Sequence, residues 1–339
     1  MENIFLLYTL KIVHLSTGTN MIKQLSTGLL TALLLINPLT VMAEKSVAIT
    51  QIVEHPALDA VRKGVKDELA SAGYHAGKNL KWTFESAQGN TATAAQIAKK
   101  FAGKSPDVIV AIATPSAQTV ASAARNSAIV FSAVTDPVGA KLVNNMDKPG
   151  ANITGVTDLT PIDKHMELVK RVVPSAKTVG VIYNPGEANS VTLVELVKKF
   201  APQYGMNVVE AGATKSSEVL SAARSLVGKA DVIYVPTDNT VVSAFSAVIK
   251  VGEAAKIPVV AGDTDSVKQG AIAALGFNYY DVGRQTGKMV LQILNGTKPG
   301  DIAVQGVHRM ELFVNPSAAI KMGIRLDQSL IAEAKEVVK

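Results

Sequence analysis

A chain of 339 residues is long enough for two domains with separate cores. Its net charge of +6 is scattered, with no basic run of the kind that tracks nucleic acid. The absence of cysteine excludes a disulfide-stapled fold and a lipid-modified cysteine, and the low aromatic share of 5% is that of an Ala/Val/Ile-rich α/β protein.

The first 43 residues read as an export signal and its upstream extension. From Met21 there is a positive n-region at Lys23, an apolar stretch Leu29–Ile36 and a Val41-Met42-Ala43 site for signal peptidase. Cleavage after Ala43 leaves Glu44 as the first mature residue, and Met21 is a candidate start of translation beside Met1. The expected product is soluble, periplasmic and not a lipoprotein; the competing reading is an uncleaved membrane anchor.

The mature chain opens on the β-type run Ser46–Ile52 and the loop Val53-Glu54-His55-Pro56. The segment Ala57–Ala72 carries Leu58, Val61, Val65 and Leu69 at helical spacing and stops at Gly73. Strands are predicted at Leu80–Glu85, Asp107–Ala113 and Ala128–Ala133, alternating with helices at Thr91–Phe101 and Ser116–Arg125. This alternation predicts parallel βαβ units with ligands at the carboxyl ends of the strands. Asn152–Pro161 breaks the rhythm and reads as a first crossing between two lobes, followed by a helix Asp163–Val173.

The second half repeats the plan. Its strands are Val179–Tyr183, Asn207–Ala211, Val232–Val235, Val259–Ala261 and Ala271–Phe277, with a helix at Ser190–Tyr204. A second crossing falls at Asn278–Asp281, before a helix Val282–Leu294 with Gly283 and Gly287 on one side. Lys298–Gln305 and Met310–Val314 read as late short strands around a third crossing, and Asn315–Met322 and Asp327–Val338 as closing helices. Three pairs of stretches recur in the same order at similar spacing: Lys45–Ile49 with Lys177–Val181, Asp107–Gln118 with Asp231–Thr240, and Val134–Val138 with Asp263–Val267. The expected fold is α/β, two doubly wound lobes with a central cleft and three crossovers. The first lobe takes residues 44–155 plus about 281–307, the second 156–280 plus about 308–339. Three crossings permit hinge closure.

The stretches Ile52–Leu58 (IVEHPAL), Val134–Val138 (VTDPV), Asn184–Asn189 (NPGEAN) and Tyr279–Gln285 (YYDVGRQ) resemble those of ABC-transporter substrate-binding proteins, most closely the tryptophan/tyrosine-type subfamily. The resemblance covers essentially the whole mature chain. It implies a type I periplasmic-binding fold that carries an aromatic amino acid to a permease in the inner membrane and performs no chemistry on it. The family's cleft positions match loops already picked out by strand ends: Glu54, His55, Thr114, Ser116, Gln118, Thr135 and Asp136 in the first lobe, and Asn184, Glu187, Asn189, Ser190, Asp238, Asn239 and Asp263 in the second.

A zwitterionic ligand needs donors for its carboxylate and acceptors for its ammonium. Ser116 and Gln118, in the first turn of a helix, are candidates for the former; the competing role is helix capping. Asp238, then Asp263 and Asp136, are candidates for the latter, against ordinary turn formation. Removing Asp238 is expected to abolish binding and leave the fold intact. Tyr183, Tyr234, Phe277 and Tyr279 are candidates to stack on a ring, and Trp82 lies on a remote strand. No metal or cofactor site is expected, because His55 has no partner at ligand spacing among His14, His75, His165 and His308. No dinucleotide, P-loop or nucleophile-elbow motif is present, so an enzyme is not expected. The remaining alternatives are a periplasmic ligand sensor and a carrier of a sugar or nucleoside.

Overall fold

The computed structural model describes residues 44–307 and 309–338; the expected export signal lies outside the described residues. Two sheets organise them. The first holds β1 (Lys45–Gln51), β2 (Leu80–Ser86), β3 (Val108–Ile112), β4 (Ile129–Val134) and β5 (Ile153–Thr157), all parallel, in the order β2-β1-β3-β4-β5. The second begins with the same winding: β6 (Thr178–Tyr183), β7 (Asn207–Gly212), β8 (Val232–Val235), β9 (Val259–Ala261) and β10 (Ala273–Gly276) lie in the order β7-β6-β8-β9-β10. It is extended by β11 (Glu311–Val314), antiparallel to β10, and by β12 (Glu336–Val337).

The repeated Asp-Val-Ile has a physical role in this winding. Asp107, just before β3, accepts from the backbone N–H of Ser46 at 2.7 Å and from its hydroxyl at 2.6 Å. Asp231, just before β8, accepts from the N–H groups of Lys177 and Thr178 at 2.8 and 2.9 Å. Each aspartate thus pins the entry of one central strand to that of its neighbour and sets the register of β1 on β3 and of β6 on β8. The strands that follow are fully buried, as the apolar runs require.

Helices α1 (Pro56–Ser71), α2 (Thr91–Lys104) and α3 (Thr114–Ala123) cover the first sheet. The second carries α4 (Ile162–Val172), α5 (Ala188–Phe200), α6 (Val219–Ser225), α7 (Asn239–Ser243), α8 (Phe245–Ala255) and α9 (Asp265–Lys268). Helix α10 (Tyr279–Leu294) returns to the first lobe, and α11 (Pro316–Lys321) and α12 (Gln328–Glu333) finish on the second. One core runs from Val47 to Val156 and resumes from Phe277 to Ile302. The other spans Ile162 to Ala274 and Phe313 to Leu330. Val156, Phe277 and Tyr279, expected in the second lobe, pack in the first core. Helix α10 lies directly on α1 because Gly64, Gly283 and Gly287 remove the side chains between them; a Cβ at Gly283 would run into the Val61 carbonyl.

Three expected elements differ. Lys298–Gln305 is not a strand: Pro299-Gly300-Asp301 closes a 3₁₀ turn, and only Gln305 makes a single bridge, to Val156. The closing helix stops at Glu333, and the chain pairs as β12 beside β11, with Lys335 N–H on the Leu312 carbonyl at 2.8 Å. The helix expected to reach Tyr204 leaves α-geometry at Phe200, where Pro202 in the next turn cannot continue the α-helical bonding.

Candidate ligand cleft

Between the lobes lies a cleft with an enclosed cavity at its base. The first lobe contributes His55, Ala57 and Leu58 from the start of α1, Ala133 and Thr135 from the end of β4, Asp158 from the first crossing, and Tyr279 from the start of α10. The second contributes Asn189 of α5, Thr237–Asn239 and Val242 around α7, and Asp263 beyond β9. These are strand ends and helix starts, where the fold leaves backbone and short polar side chains facing a common space. Helices α3 and α5 touch each other across the cleft. Ala133 closes the β4 end with φ 53°, and Ala113 the β3 end with φ 73°, ψ 156°; both are strained for residues that carry a Cβ, and such strain concentrates at functional sites.

Three aspartates reach the cavity, each already held by its own lobe. Asp238 accepts from Asn184 N–H at 2.6 Å and from Val241 N–H at 2.7 Å, so it caps α7 and ties it to the loop after β6. Asp263 accepts from the N–H and hydroxyl of Ser266 at 2.9 and 2.6 Å. Asp158 accepts from the Thr135 hydroxyl at 3.0 Å and from the Tyr279 hydroxyl at 2.9 Å, joining the first crossing to β4 and to α10. Burial pushes Asp263 up to about 6 despite its Ser266 bonds. It also raises Asp158, and Asp238 is raised by burial and by the neighbouring Glu187 carboxylate. No lysine or arginine is among the cavity-lining residues. Arg62 of α1 pairs with Asp59 at 3.2 Å and Glu54 at 3.7 Å.

Of the residues expected at the site, His55, Thr135, Asn189, Asp238, Asn239 and Asp263 line this cavity. Glu187, Asn184 and Ser190 are buried beside it. The Glu187 carboxylate accepts from Thr240 through both backbone and hydroxyl, and from the amides of Asn184, Asn189 and Asn239. Thr114 and Ser116 are buried at the start of α3, with hydroxyls that have no partner among the described residues, but they are not on the cavity wall. Gln118 is exposed and donates to the Ala140 carbonyl at 3.2 Å. Asp136 accepts from Gly139 N–H at 2.8 Å and forms a turn outside the cavity, and Glu54 is exposed.

Sequence reasoning missed Asp158 altogether and named Tyr279 only as a stacking ring. The usable signal was β5 itself: Asp158 follows its last residue, just as Asp263 closely follows β9. His55 is 8% exposed, burial pushes it down to about 4, and neither ring nitrogen has a hydrogen-bond partner among the described residues. A neutral imidazole, a set of acids and a small apolar wall of Leu58, Val242 and the Tyr279 ring suit a compact ligand bearing a cation. No group of three or more His, Asp or Glu placed to hold a metal ion occurs among the described residues.

The likenesses to known proteins agree in kind. A "Tyrosine-binding protein" of Clostridioides difficile is 44% identical over 272 residues, covering 80% of this chain and 79% of that protein. The solved ABC domain in complex with L-Trp from Streptococcus pneumonia is 35% identical with a TM-score of 0.84, over 87% of this chain and all of that one. The ligand-free, open structure of a substrate binding protein with adhesive properties from Clostridium difficile is 42% identical, with a TM-score of 0.65 over 87% of this chain and 99% of that one. Residues 46–338 match the family described as ABC transporter substrate binding protein, and the chain belongs to that family of binding proteins rather than to a family of enzymes.

Proposed function

We propose that this protein is the periplasmic receptor of an ABC importer, that it closes on an aromatic amino acid and that it presents the loaded, closed form to an inner-membrane permease. The observation that carries this reading is the distribution of charge. Asp158 stands on the first lobe, Asp238 and Asp263 on the second, and no cation lines the space between them. With the cleft empty, bringing the lobes together sets like charges against one another in a poorly solvated space. An ammonium placed among them turns that repulsion into attraction, so ligand favours the closed state by contacts available only there. The apolar wall of Leu58, Val242 and Tyr279 takes the ring.

The likenesses support the same reading. Identity is higher to the ligand-free open structure than to the L-Trp complex, yet the fold overlays the complex far better. Lobes in the closed arrangement account for that inversion. The test is thermal unfolding of residues 44–339 against amino acids, sugars and nucleosides. L-Tyrosine, L-tryptophan or L-phenylalanine at about 100 times its dissociation constant adds roughly 2.7 kcal/mol, a rise of several degrees. A rise with sugars or nucleosides alone refutes the amino-acid reading.

A further inference from the structure

We infer that the N-terminus of α1, together with His55, holds the ligand's carboxylate, so that the amino acid lies with its acid end on the first lobe and its ammonium toward Asp158, Asp238 and Asp263. This rests on the amino-acid reading above and assigns the orientation within that site.

The argument begins with donors left unused. Helix α1 is 16 residues long, and its cap residue His55 makes no side-chain capping bond. Pro56 at its first position has no N–H, and the first intrahelical bond runs from Asp59 N–H to the His55 carbonyl at 3.0 Å. The N–H groups of Ala57 and Leu58 therefore have no acceptor among the described residues. Both residues are 3% exposed and both line the cavity. Buried N–H groups without a partner are rare, and at the start of a helix they face an acceptor with the positive end of the helix dipole behind them.

The second observation is the imidazole itself. His55 is more than nine-tenths buried, lines the same cavity and has no partner at Nδ1 or Nε2; Asn239 lies against it but out of hydrogen-bonding geometry. Burial keeps the ring neutral, so one nitrogen carries a hydrogen free to donate. Two backbone N–H groups and one ring N–H thus lie at one end of a cavity whose charged walls are the carboxylates of Asp158, Asp238 and Asp263. With no lysine or arginine lining the space, this is the end at which a carboxylate finds donors instead of like charge. The start of α3, which also offers unpartnered hydroxyls, is off the cavity wall.

The test fills the site from within. In His55→Asp the new side chain is an N-cap that accepts from the free N–H groups of α1, and His55→Ser does the same without a charge. Binding of L-tyrosine, L-tryptophan, tyramine and tryptamine is measured by titration calorimetry for both variants and for the unmodified protein, with thermal unfolding of each ligand-free form. Both variants unfold at or above the unmodified temperature. Affinity for the two amino acids falls about tenfold or more, the loss of charge-assisted hydrogen bonds, while affinity for the two amines is kept or rises. Amino-acid affinity that survives both substitutions, or amino acid and amine affinities that fall together, overturns the inference and leaves the amino-acid reading standing. If the unmodified protein binds neither L-tyrosine nor L-tryptophan, the amino-acid reading fails and takes this orientation with it. Should His55→Asp not fold, His55→Ser carries the comparison.

Discussion

Acidification should loosen the ligand, and Asp263 sets the scale. Its carboxyl is fully buried and pushed up to about 6, so around neutral pH it is mostly ionised and at pH 5 mostly protonated. An ammonium in the cavity favours the ionised form, so binding must first remove the proton from whatever fraction of Asp263 holds one. That fraction is about nine-tenths at pH 5 and about one-tenth at pH 7, which makes the dissociation constant about tenfold larger at pH 5 from this group alone. The other groups facing the cavity act in the same direction or not at all over this range. Asp158 and Asp238 are also raised, so any titration of theirs adds to the loss. His55, pushed down to about 4, stays neutral. Titration calorimetry with L-tyrosine in buffers of different ionisation enthalpy reads both the constant and the proton count. At pH 6 about half a proton is released from Asp263 for each ligand bound. A dissociation constant that is flat from pH 5 to 7, tighter binding at pH 5, or proton uptake at pH 6 would refute the electrostatic reasoning.

Two further substitutions separate local structure from the cleft. Asp238→Ala leaves the N–H groups of Asn184 and Val241 buried without acceptors, so it should cost about 1–3 kcal/mol in chemical denaturation as well as weakening ligand binding. The expectation that the fold stays intact without this carboxylate is thus joined by a stability cost, and a variant of unchanged stability would count against its capping function. Gly283→Ala presses a methyl into the Val61 carbonyl of α1 and should lower stability by about 1–3 kcal/mol, while a Gly103→Ala control, in helix α2 with open space around it, should not lower it. Equal effects for the two would mean that α10 can shift away from α1.

The two-lobed plan was legible because it rests on signals the chain states twice. Asp107 and Asp231 pin matching strand entries, and β3 and β8 are uninterrupted apolar runs that only a doubly covered sheet can bury. The chain's last third was less legible because its elements are defined by partners rather than by their own pattern. Glu336–Val337 is a strand only because β11 lies beside it, and Gln305 pairs only because β5 presents Val156. Asp158 was hidden for a similar reason. Its two bonds run to Thr135 and Tyr279, the second across 121 positions, and no local spacing announces such a meeting.

The same bonds resolve an apparent conflict in reading the aspartates. From sequence, a cap or turn role and a ligand role compete for Asp238 and Asp263, because either would explain an acid after a strand. In the folded protein each of these carboxylates, and that of Asp158, takes two hydrogen bonds from its own surroundings. An ionised carboxylate has about four acceptor positions, so the local bonds fix its rotamer and leave capacity toward the cavity. In the proposed reading an ammonium brings three donors, and one acid from the first lobe and two from the second meet them. On that proposal, local capping and ligand recognition are compatible in one carboxylate. Asp136 differs in place, not in chemistry: it makes the same kind of turn bond to Gly139, but it lies outside the cavity, and the turn is all that the structure assigns to it.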